Sequence, residues 1–310
     1  MIRIKTERKM WMKRKEGIRK KRLKEKWCYL GLLPTFLLLI VFQLYPAVDS
    51  LYRSLCRWKT SNYFSPEFDG FANYLRLAGD REFFGSFAVL FVFVLVGFIT
   101  TFAVNMPVTY LVYRLGAGRI GRFFQRALVI PMMVPAMVLT MYWKFFFSNR
   151  DGILNTILIY LGKQDWCRIW LADHDLTLWC LQLIGFPFIG GFSFLILLSG
   201  FLNIDASLGE AAQLDGATAW DKFIRIDVPL IIPQMKILSI LGMIAGVQAF
   251  STQMIMTNGR YGTMVPGLLM YQTAFTKGNY GYASSMGVVL FAVILILTII
   301  QNKYVKSADA

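Results

Sequence analysis

EAAQLDGA, at residues 210–217, lies within a polar segment (residues 203–232) between two long apolar runs. Asp205 precedes a stretch of helix formers and is a typical N-cap residue. Asp215-Gly216 then predicts a helix stop, because glycine readily adopts the left-handed backbone that ends a helix. Thr218 followed by Asp221 is the pattern of a second helix start. The segment therefore predicts two short helices joined by a tight turn.

The first predicted helix combines small side chains with one oriented charge, Glu210. Small residues let another protein approach closely, which favours a docking surface. The alternative is an amphipathic helix that rests on lipid. The acidic character of the segment argues against that alternative, because anionic headgroups would repel it. The small residues are Ala206, Gly209, Ala211 and Ala212.

Apolar runs dominate the rest of the chain, which is 56% hydrophobic and only 16% charged. Soluble domains are less apolar and carry more charge. Six runs are long enough to cross a hydrocarbon core of about 30 Å as helices. We therefore predict an all-α, polytopic membrane protein with six transmembrane helices. The runs are 29–51, 87–112, 127–147, 177–202, 233–257 and 282–300.

The net charge of +15 is concentrated before the first run, where residues 1–27 hold 13 Lys or Arg against three Glu. A basic block beside a span favours the cytoplasmic side and anionic lipid rather than nucleic acid. We therefore expect a basic cytoplasmic segment 1–27, a transmembrane domain 28–310, and both termini in the cytoplasm. The connections then alternate. Those inside are 113–126, which carries Arg114, Arg119, Arg122 and Arg126, and 201–232; those outside are 53–85, 148–176 and 258–280.

Polar side chains within the later runs are candidates for a solute pathway. Gln248 and Ser251 are three residues apart and would share one face of a continuous helix. The alternative is that such groups form hydrogen bonds between helices, as polar residues in membranes commonly do. The full candidate set is Gln182, Ser193, Gln248, Ser251 and Thr252.

The sequence offers little material for catalysis, and we expect no catalytic residues, cofactor or metal. Asp173-His174-Asp175 is the one acidic and histidine cluster, and it falls in a predicted loop. Cys56 and Cys167 both fall in predicted external loops, so the sequence leaves a disulfide between them as an alternative. A stand-alone secondary transporter is a rival, but such carriers normally need ionisable residues inside the membrane, which are scarce here. A membrane enzyme is a second rival.

Residues 210–233 read EAAxxDGAxxWxxFxxIxxPxxxP and resemble the cytoplasmic loop of binding-protein-dependent ABC importer permeases, in the carbohydrate-uptake branch. The resemblance extends over nearly the whole chain and is closer to the larger permease type of maltose transporters, without that type's periplasmic insertion. The other matching stretches are FDGFANY at 68–74, FQR at 124–126 leading to Pro131, Pro135 and Trp143, DGILN at 151–155, TNG at 257–259 and GYASS at 281–285.

The resemblance implies the type I importer permease fold and a place in the bacterial plasma membrane. It implies four kinds of partner: a second homologous permease, two cytoplasmic ATP-binding subunits, an extracytoplasmic solute-binding protein, and a sugar as solute. Another polar solute, such as a glycerol phosphate, a polyamine or a peptide, is the alternative. The 205–220 loop would couple to the ATPase through Glu210, Ala211, Ala212, Leu214, Asp215 and Gly216.

ATP hydrolysis is expected in a partner, because the chain has no Gly-x-x-x-x-Gly-Lys-[Ser/Thr] phosphate loop. Three positions depart from the family pattern. Asp205 stands where proline is common, Gly209 where tyrosine is common, and Arg260 where a second glycine is usual. Glycine in a helix costs about 1 kcal/mol relative to alanine, so Gly209 is expected to loosen the docking helix.

Overall fold

The computed structural model describes residues 30–304, and the predicted basic segment 1–27 lies outside that range. Within the described residues the structure is helical apart from one small antiparallel sheet, in which Cys56 pairs with Phe68. The strands are β1 (Cys56–Arg57) and β2 (Glu67–Phe68). The helices are α1 (Leu30–Arg53), α2 (Ala72–Ala78), α3 (Arg81–Arg114), α4 (Arg119–Val129), α5 (Ala136–Phe146), α6 (Ile153–Tyr160), α7 (Thr177–Gln182), α8 (Gly191–Leu202), α9 (Ala206–Leu214), α10 (Ala219–Lys222), α11 (Val228–Leu230), α12 (Ile232–Gln248), α13 (Ser251–Met256), α14 (Pro266–Tyr271) and α15 (Tyr280–Tyr304).

Several helices contain or adjoin turns of other helical types. Some of these are π-helical turns, which are rare and often mark functional positions. The π-helical turns are Ile40–Leu44 within α1, Thr100–Asn105 within α3, Phe223–Asp227 and Gln272–Thr276; the 3-10 turns are Thr60–Asn62, Ile130–Met133 and Gln164–Trp166.

Four helical segments between residues 30 and 304 are long and apolar enough to cross a membrane. They are α1, α3, the segment that joins α12 and α13, and α15. Two bent helix pairs raise the number to six when each pair is counted as one span. The predicted all-α, multi-span architecture is therefore confirmed. The apolar stretch of α1 buries none of its residues inside the chain, so that surface is left for lipid or another subunit.

The predicted run 127–147 is wrong as a continuous helix. The helix that starts with α4 extends to Met133, and α5 continues from it after a bend of 86°. Pro131 and Pro135 lie at this bend, and proline cannot donate the backbone hydrogen bond that a continuous helix needs. The predicted third span is therefore divided into two helices, α4 and α5, that run nearly perpendicular to each other.

The predicted run 177–202 is also wrong as a continuous helix. Residues 183–190 separate α7 from α8 and adopt no helical conformation. This stretch contains Gly185, Pro187 and Gly190, which explains why the helix stops. At its far end α8 meets α9 at a bend of 66°.

One end of the helix bundle is closed by the sheet and the start of α15. The backbone N–H of Gly281 donates to the carbonyl of Trp58 at 2.9 Å. A Cβ atom at Gly281 would lie 2.2 Å from the carbonyl oxygen of Cys56, so a side chain cannot be accommodated there. The Asp80 carboxylate caps α3 and also accepts a hydrogen bond from the Tyr282 hydroxyl.

The opposite end of α3 contacts the polar segment 203–232. Tyr110 packs on Phe223 with ring centroids 4.4 Å apart, and Tyr113 stacks on Phe201 at 5.6 Å. These rings belong to or border a buried cluster that also contains Ile231. The polar segment is thus held firmly against the bundle at the end of α3.

Candidate functional site

The polar segment folds as the sequence predicts, with α9 capped at both ends. The Asp205 carboxylate accepts a hydrogen bond from the backbone N–H of Ser207 at 2.9 Å. Hydrogen bonds from the backbone and the hydroxyl of Ser207 hold the pKa of Asp205 below its ordinary value. At the other end Gly216 has φ of +77°, and the N–H of Ala217 donates to the carbonyl of Ala212 at 2.9 Å. This 6→1 hydrogen bond is the one that closes a helix in the Schellman motif, in which glycine adopts the left-handed conformation.

The second predicted helix start is also present, at α10. The Thr218 hydroxyl accepts a hydrogen bond from the backbone N–H of Asp221 at 3.1 Å, and the Asp221 carboxylate accepts from the N–H of Thr218 at 3.3 Å. The hydroxyl and the backbone N–H of Thr218 lower the pKa of Asp221. Both helices of the loop are therefore fixed by their own local hydrogen bonds.

The loop exposes one unpaired charge and two large apolar side chains. Glu210 is exposed and has no ion-pair partner within residues 30–304. Leu214 is 89% exposed and Trp220 is 67% exposed. An exposed leucine and tryptophan in the same loop as an unpaired carboxylate have the composition of a protein contact surface.

The predicted face of four small residues is divided in the structure. Ala206 and Ala211 are exposed, whereas Gly209 and Ala212 are buried. A Cβ atom at Gly209 would lie 2.4 Å from the Nζ atom of Lys222, so Lys222 of α10 lies over this glycine. Gly209 therefore allows the two helices to approach closely, and the exposed surface of α9 is formed by its other residues.

A buried acidic side chain joins the loop to α3. The Tyr110 hydroxyl donates to Oδ2 of Asp227 at 2.9 Å, and Asp227 is fully buried. Its other oxygen, Oδ1, has no hydrogen-bond donor among the described residues. Neither Asp227 nor Tyr110 was predicted from the sequence as a functional residue. The available signal was an aspartate placed between apolar residues directly before Val228 and Pro229.

Replacing Asp205 by alanine is expected to fray the first turn of α9, because the backbone N–H of Ser207 loses its acceptor. Loss of such a cap should increase hydrogen exchange at the amides of residues 206–209 by about fivefold. Exchange mass spectrometry on the purified protein measures this. Asp205→Asn, which keeps an acceptor, should exchange like the parent, and so should Asn203→Ala outside the cap. Unchanged exchange in Asp205→Ala would show that the cap does not stabilise the helix.

A second candidate site is a half-open cavity of about 490 Å³ among the broken spans. The Nδ2 group of Asn105 donates to the carbonyl of Gly190 at 3.1 Å, which joins the π-helical turn of α3 to the non-helical stretch before α8. Irregular backbone at membrane depth is tolerated where it is buried in protein or lines a water-filled cavity. The lining includes Thr100, Thr101, Asn105, Trp143, residues 185–191 and Ser193.

Of the five predicted pathway residues, Ser193 lines this cavity and the other four do not. The shared helical face expected for Gln248 and Ser251 is wrong, because α12 ends at Gln248 and α13 begins at Ser251. Both side chains are nevertheless exposed at this break, and Thr252 is half-buried. Gln182 is half-buried, with its Nε2 atom lacking an acceptor among the described residues.

The remaining reactive side chains form no common site. His174 and Asp175 are 3.8 Å apart and strongly exposed, and Asp173 faces Arg168 at the same distance. Cys56 and Cys167 are free thiols, so the disulfide considered between them is not formed. In the described part of the chain, no three His, Cys, Asp or Glu side chains group so that they could hold a metal.

Comparison with known proteins gives a family match over residues 105–308, to the binding-protein-dependent transport system inner membrane components. One relative is a probable starch degradation products transport system permease of Thermoanaerobacterium thermosulfurigenes, 26% identical, with 89% of this chain and 92% of the relative covered. Another is a trehalose/maltose transport system permease of Thermococcus litoralis, 30% identical, with the same coverage of each chain.

A solved structure gives the same fold. The chain superimposes on a bacterial ABC transporter involved in alginate import with a TM-score of 0.79 and 19% sequence identity. The superposition covers 94% of this chain and 99% of the transporter chain. At that identity the likeness is one of fold.

Proposed function

The chain belongs to the family of binding-protein-dependent transport system inner membrane components, and from that premise we propose that it forms half of the translocation pathway for a sugar or oligosaccharide. It is a multi-pass membrane protein and a permease subunit of a binding-protein-dependent importer. The relatives named for starch products and for trehalose and maltose support a sugar as the solute.

The observation that carries this function is the loop of α9 and α10. Its two helices are capped by their own residues, so the loop keeps its shape without a partner. It leaves Glu210, Leu214 and Trp220 exposed, so that another protein can contact them. A rigid, protruding loop of mixed charge and apolar surface is suited to transmit movement from a second subunit.

We place this loop in the cytoplasm, against one of two ATP-binding subunits. A second, homologous permease would complete the pathway, and a solute-binding protein would deliver solute at the opposite end. Closure of the ATPase pair would push the loops together and turn the pathway outward, and their separation would open it inward. The chain itself would hydrolyse nothing, and both of its termini would lie in the cytoplasm.

Packed contacts connect the loop to the half-open cavity. Phe223 lies against Tyr110 of α3, and Asp227 accepts the Tyr110 hydrogen bond. Asn105 stands five residues before Tyr110 in the same helix and holds the carbonyl of Gly190 at the cavity wall. A displacement of the loop would therefore move α3 and with it the wall of the cavity.

The solute path would use hydrogen-bonding groups rather than charges, which suits an uncharged sugar. Ser193 supplies a hydroxyl at the cavity, and Gln248 and Ser251 present polar groups at the break between α12 and α13. Exposed polar groups beside interrupted backbone are poorly suited to face lipid. We therefore assign this break to the interior of the assembled pathway, facing the second permease.

Reconstitution tests the proposal directly. The chain is co-purified with its second permease and ATPase, placed in vesicles, and supplied with ATP, the binding protein and labelled maltotriose. Uptake is expected only when all components and ATP are present. Uptake by vesicles that contain this chain alone would overturn the function in favour of a stand-alone carrier. Uptake of a labelled peptide or polyamine in place of the sugar would overturn the solute assignment.

A further inference from the structure

Helix α4 has two faces of opposite character. Gly121 and Leu128 turn inward, where Leu128 packs with the buried residues Val112 and Phe194. The other face carries three arginines at intervals of three and four residues, which places them in one row along the helix. They are Arg119, Arg122 and Arg126, and all three are exposed.

The arginine face is held in a fixed position by the turn that precedes α4. A Cβ atom at Gly121 would lie 2.0 Å from the carbonyl oxygen of Gly116, so the backbones of the turn and the helix are in direct contact. At the far end, a Cβ atom at Gly191 of α8 would lie 3.0 Å from the Cβ atom of Met132. Close packing at both ends prevents α4 from rotating its arginines inward.

The three guanidinium groups have no carboxylate partner within residues 30–304. They border an open cleft of about 390 Å³. The same cleft is lined by Phe123 and Ile130, which are 65% and 61% exposed. Unpaired cations therefore adjoin large apolar side chains that have no cover in the chain.

We propose that the α4 cleft binds the headgroup of an anionic phospholipid, in the leaflet on the side of the α9–α10 loop. Its phosphate would accept hydrogen bonds from the arginines, whose planar fork suits phosphate oxygens. Its acyl chains would cover Phe123 and Ile130. A soluble anion explains the arginines alone, whereas a lipid accounts for both the charges and the exposed apolar residues.

The position of α4 in the fold agrees with this occupant. The turn before α4 follows Tyr113, which stacks on Phe201 next to the loop, so the cleft lies at the loop end of the bundle. The bend of 86° sets α4 nearly perpendicular to α5, which follows it in the third span. A helix that lies along the boundary of a bundle, with basic and apolar groups together, has the character of an interfacial helix.

Native mass spectrometry of the complete transporter, titrated with phosphatidylglycerol or phosphatidylcholine, tests the proposal. The parent protein should retain phosphatidylglycerol preferentially. The variant Arg119→Gln/Arg122→Gln/Arg126→Gln should bind it roughly a hundredfold more weakly. Each basic residue near a membrane surface strengthens binding about fivefold, and three such factors multiply to roughly a hundred. A matched variant, Arg81→Gln/Arg150→Gln/Arg260→Gln, loses the same charge elsewhere and should bind lipid like the parent. These three arginines also lack ion-pair partners among the described residues.

Each alternative result has a defined meaning. Equal retention of phosphatidylcholine, or unchanged phosphatidylglycerol binding in the α4 variant, overturns the proposal. Displacement of the lipid by millimolar glycerol phosphate shows that the cleft takes a soluble anion instead. Loss of the ATPase or second permease from the α4 variant, with lipid binding intact, assigns the arginines to a protein contact. The lipid measurement needs no transport, so it stands apart from the test of the sugar function.

Discussion

Replacing Glu210 by lysine is expected to abolish sugar uptake while the protein still inserts into the membrane. The exposed carboxylate belongs to a loop that is fixed by Asp205 and Gly216, so the change leaves the loop's shape intact and reverses one charge on its outer surface. Reversal of a charge at the centre of a contact turns attraction into repulsion, and such residues often dominate binding. We expect affinity for the ATPase to fall by about a hundredfold.

Two measurements are needed for this variant: uptake of labelled maltotriose in vesicles, and co-purification of the ATPase. Glu67→Lys is the matched control, because it makes the same charge change on an exposed residue of β2. That control should transport like the parent protein. Normal uptake in Glu210→Lys would refute the docking role of α9. Loss of uptake with a firmly bound and regulated ATPase would move the role of Glu210 from docking to a later step.

Replacing Ser193 by tryptophan is expected to reduce uptake by about tenfold or more while the ATPase stays bound. Ser193 lines the half-open cavity beside Gly190 and Gly191, and an indole ring at this position would narrow it. The substituted position is remote from the loop of α9 and α10, so docking should not change. Uptake of labelled maltotriose and ATP hydrolysis are measured on the same vesicles. Transport should fall in these vesicles, while hydrolysis continues.

Ser199→Trp is the matched control, because it places the same side chain on an exposed position of the same helix. It should support uptake at the parent rate. Ser193→Ala separates bulk from hydrogen bonding, since it removes only the hydroxyl and leaves the cavity open. If Ser193→Trp transports as well as Ser199→Trp does, the cavity is not part of the pathway, and the break at Ala249 and Phe250 becomes the remaining candidate.

Local patterns in the sequence were sufficient to predict the two capped helices of the loop. Asp205, Gly216 and the pair Thr218 and Asp221 act through hydrogen bonds to backbone groups within a few residues, so their pattern predicts the two caps directly. The number of apolar runs likewise predicted the multi-span architecture, because the thickness of a bilayer sets the length of a crossing helix.

The internal breaks of the spans were signalled but not recognised. Pro131, Pro135 and Pro187 all lie within predicted runs, yet proline and glycine are common in membrane helices and need not interrupt them. Whether a helix breaks depends on neighbouring helices that can satisfy the freed backbone groups. The side chain of Asn105 donates such a hydrogen bond to the carbonyl of Gly190, 85 residues later in the chain. No local sequence pattern reveals a contact over that separation.

Composition and local residue patterns were enough to predict that the chain crosses a membrane several times and carries a loop of two capped helices. Both properties depend on the composition of single segments and on interactions between residues close together in the chain. Three features became visible only in the three-dimensional structure: which loop residues are exposed, the hydrogen bond between Tyr110 and Asp227 across 117 positions, and the location of the cavity. These features arise from packing between distant segments, and in the membrane that packing is set by close backbone approach and polar pairs rather than by hydrophobicity.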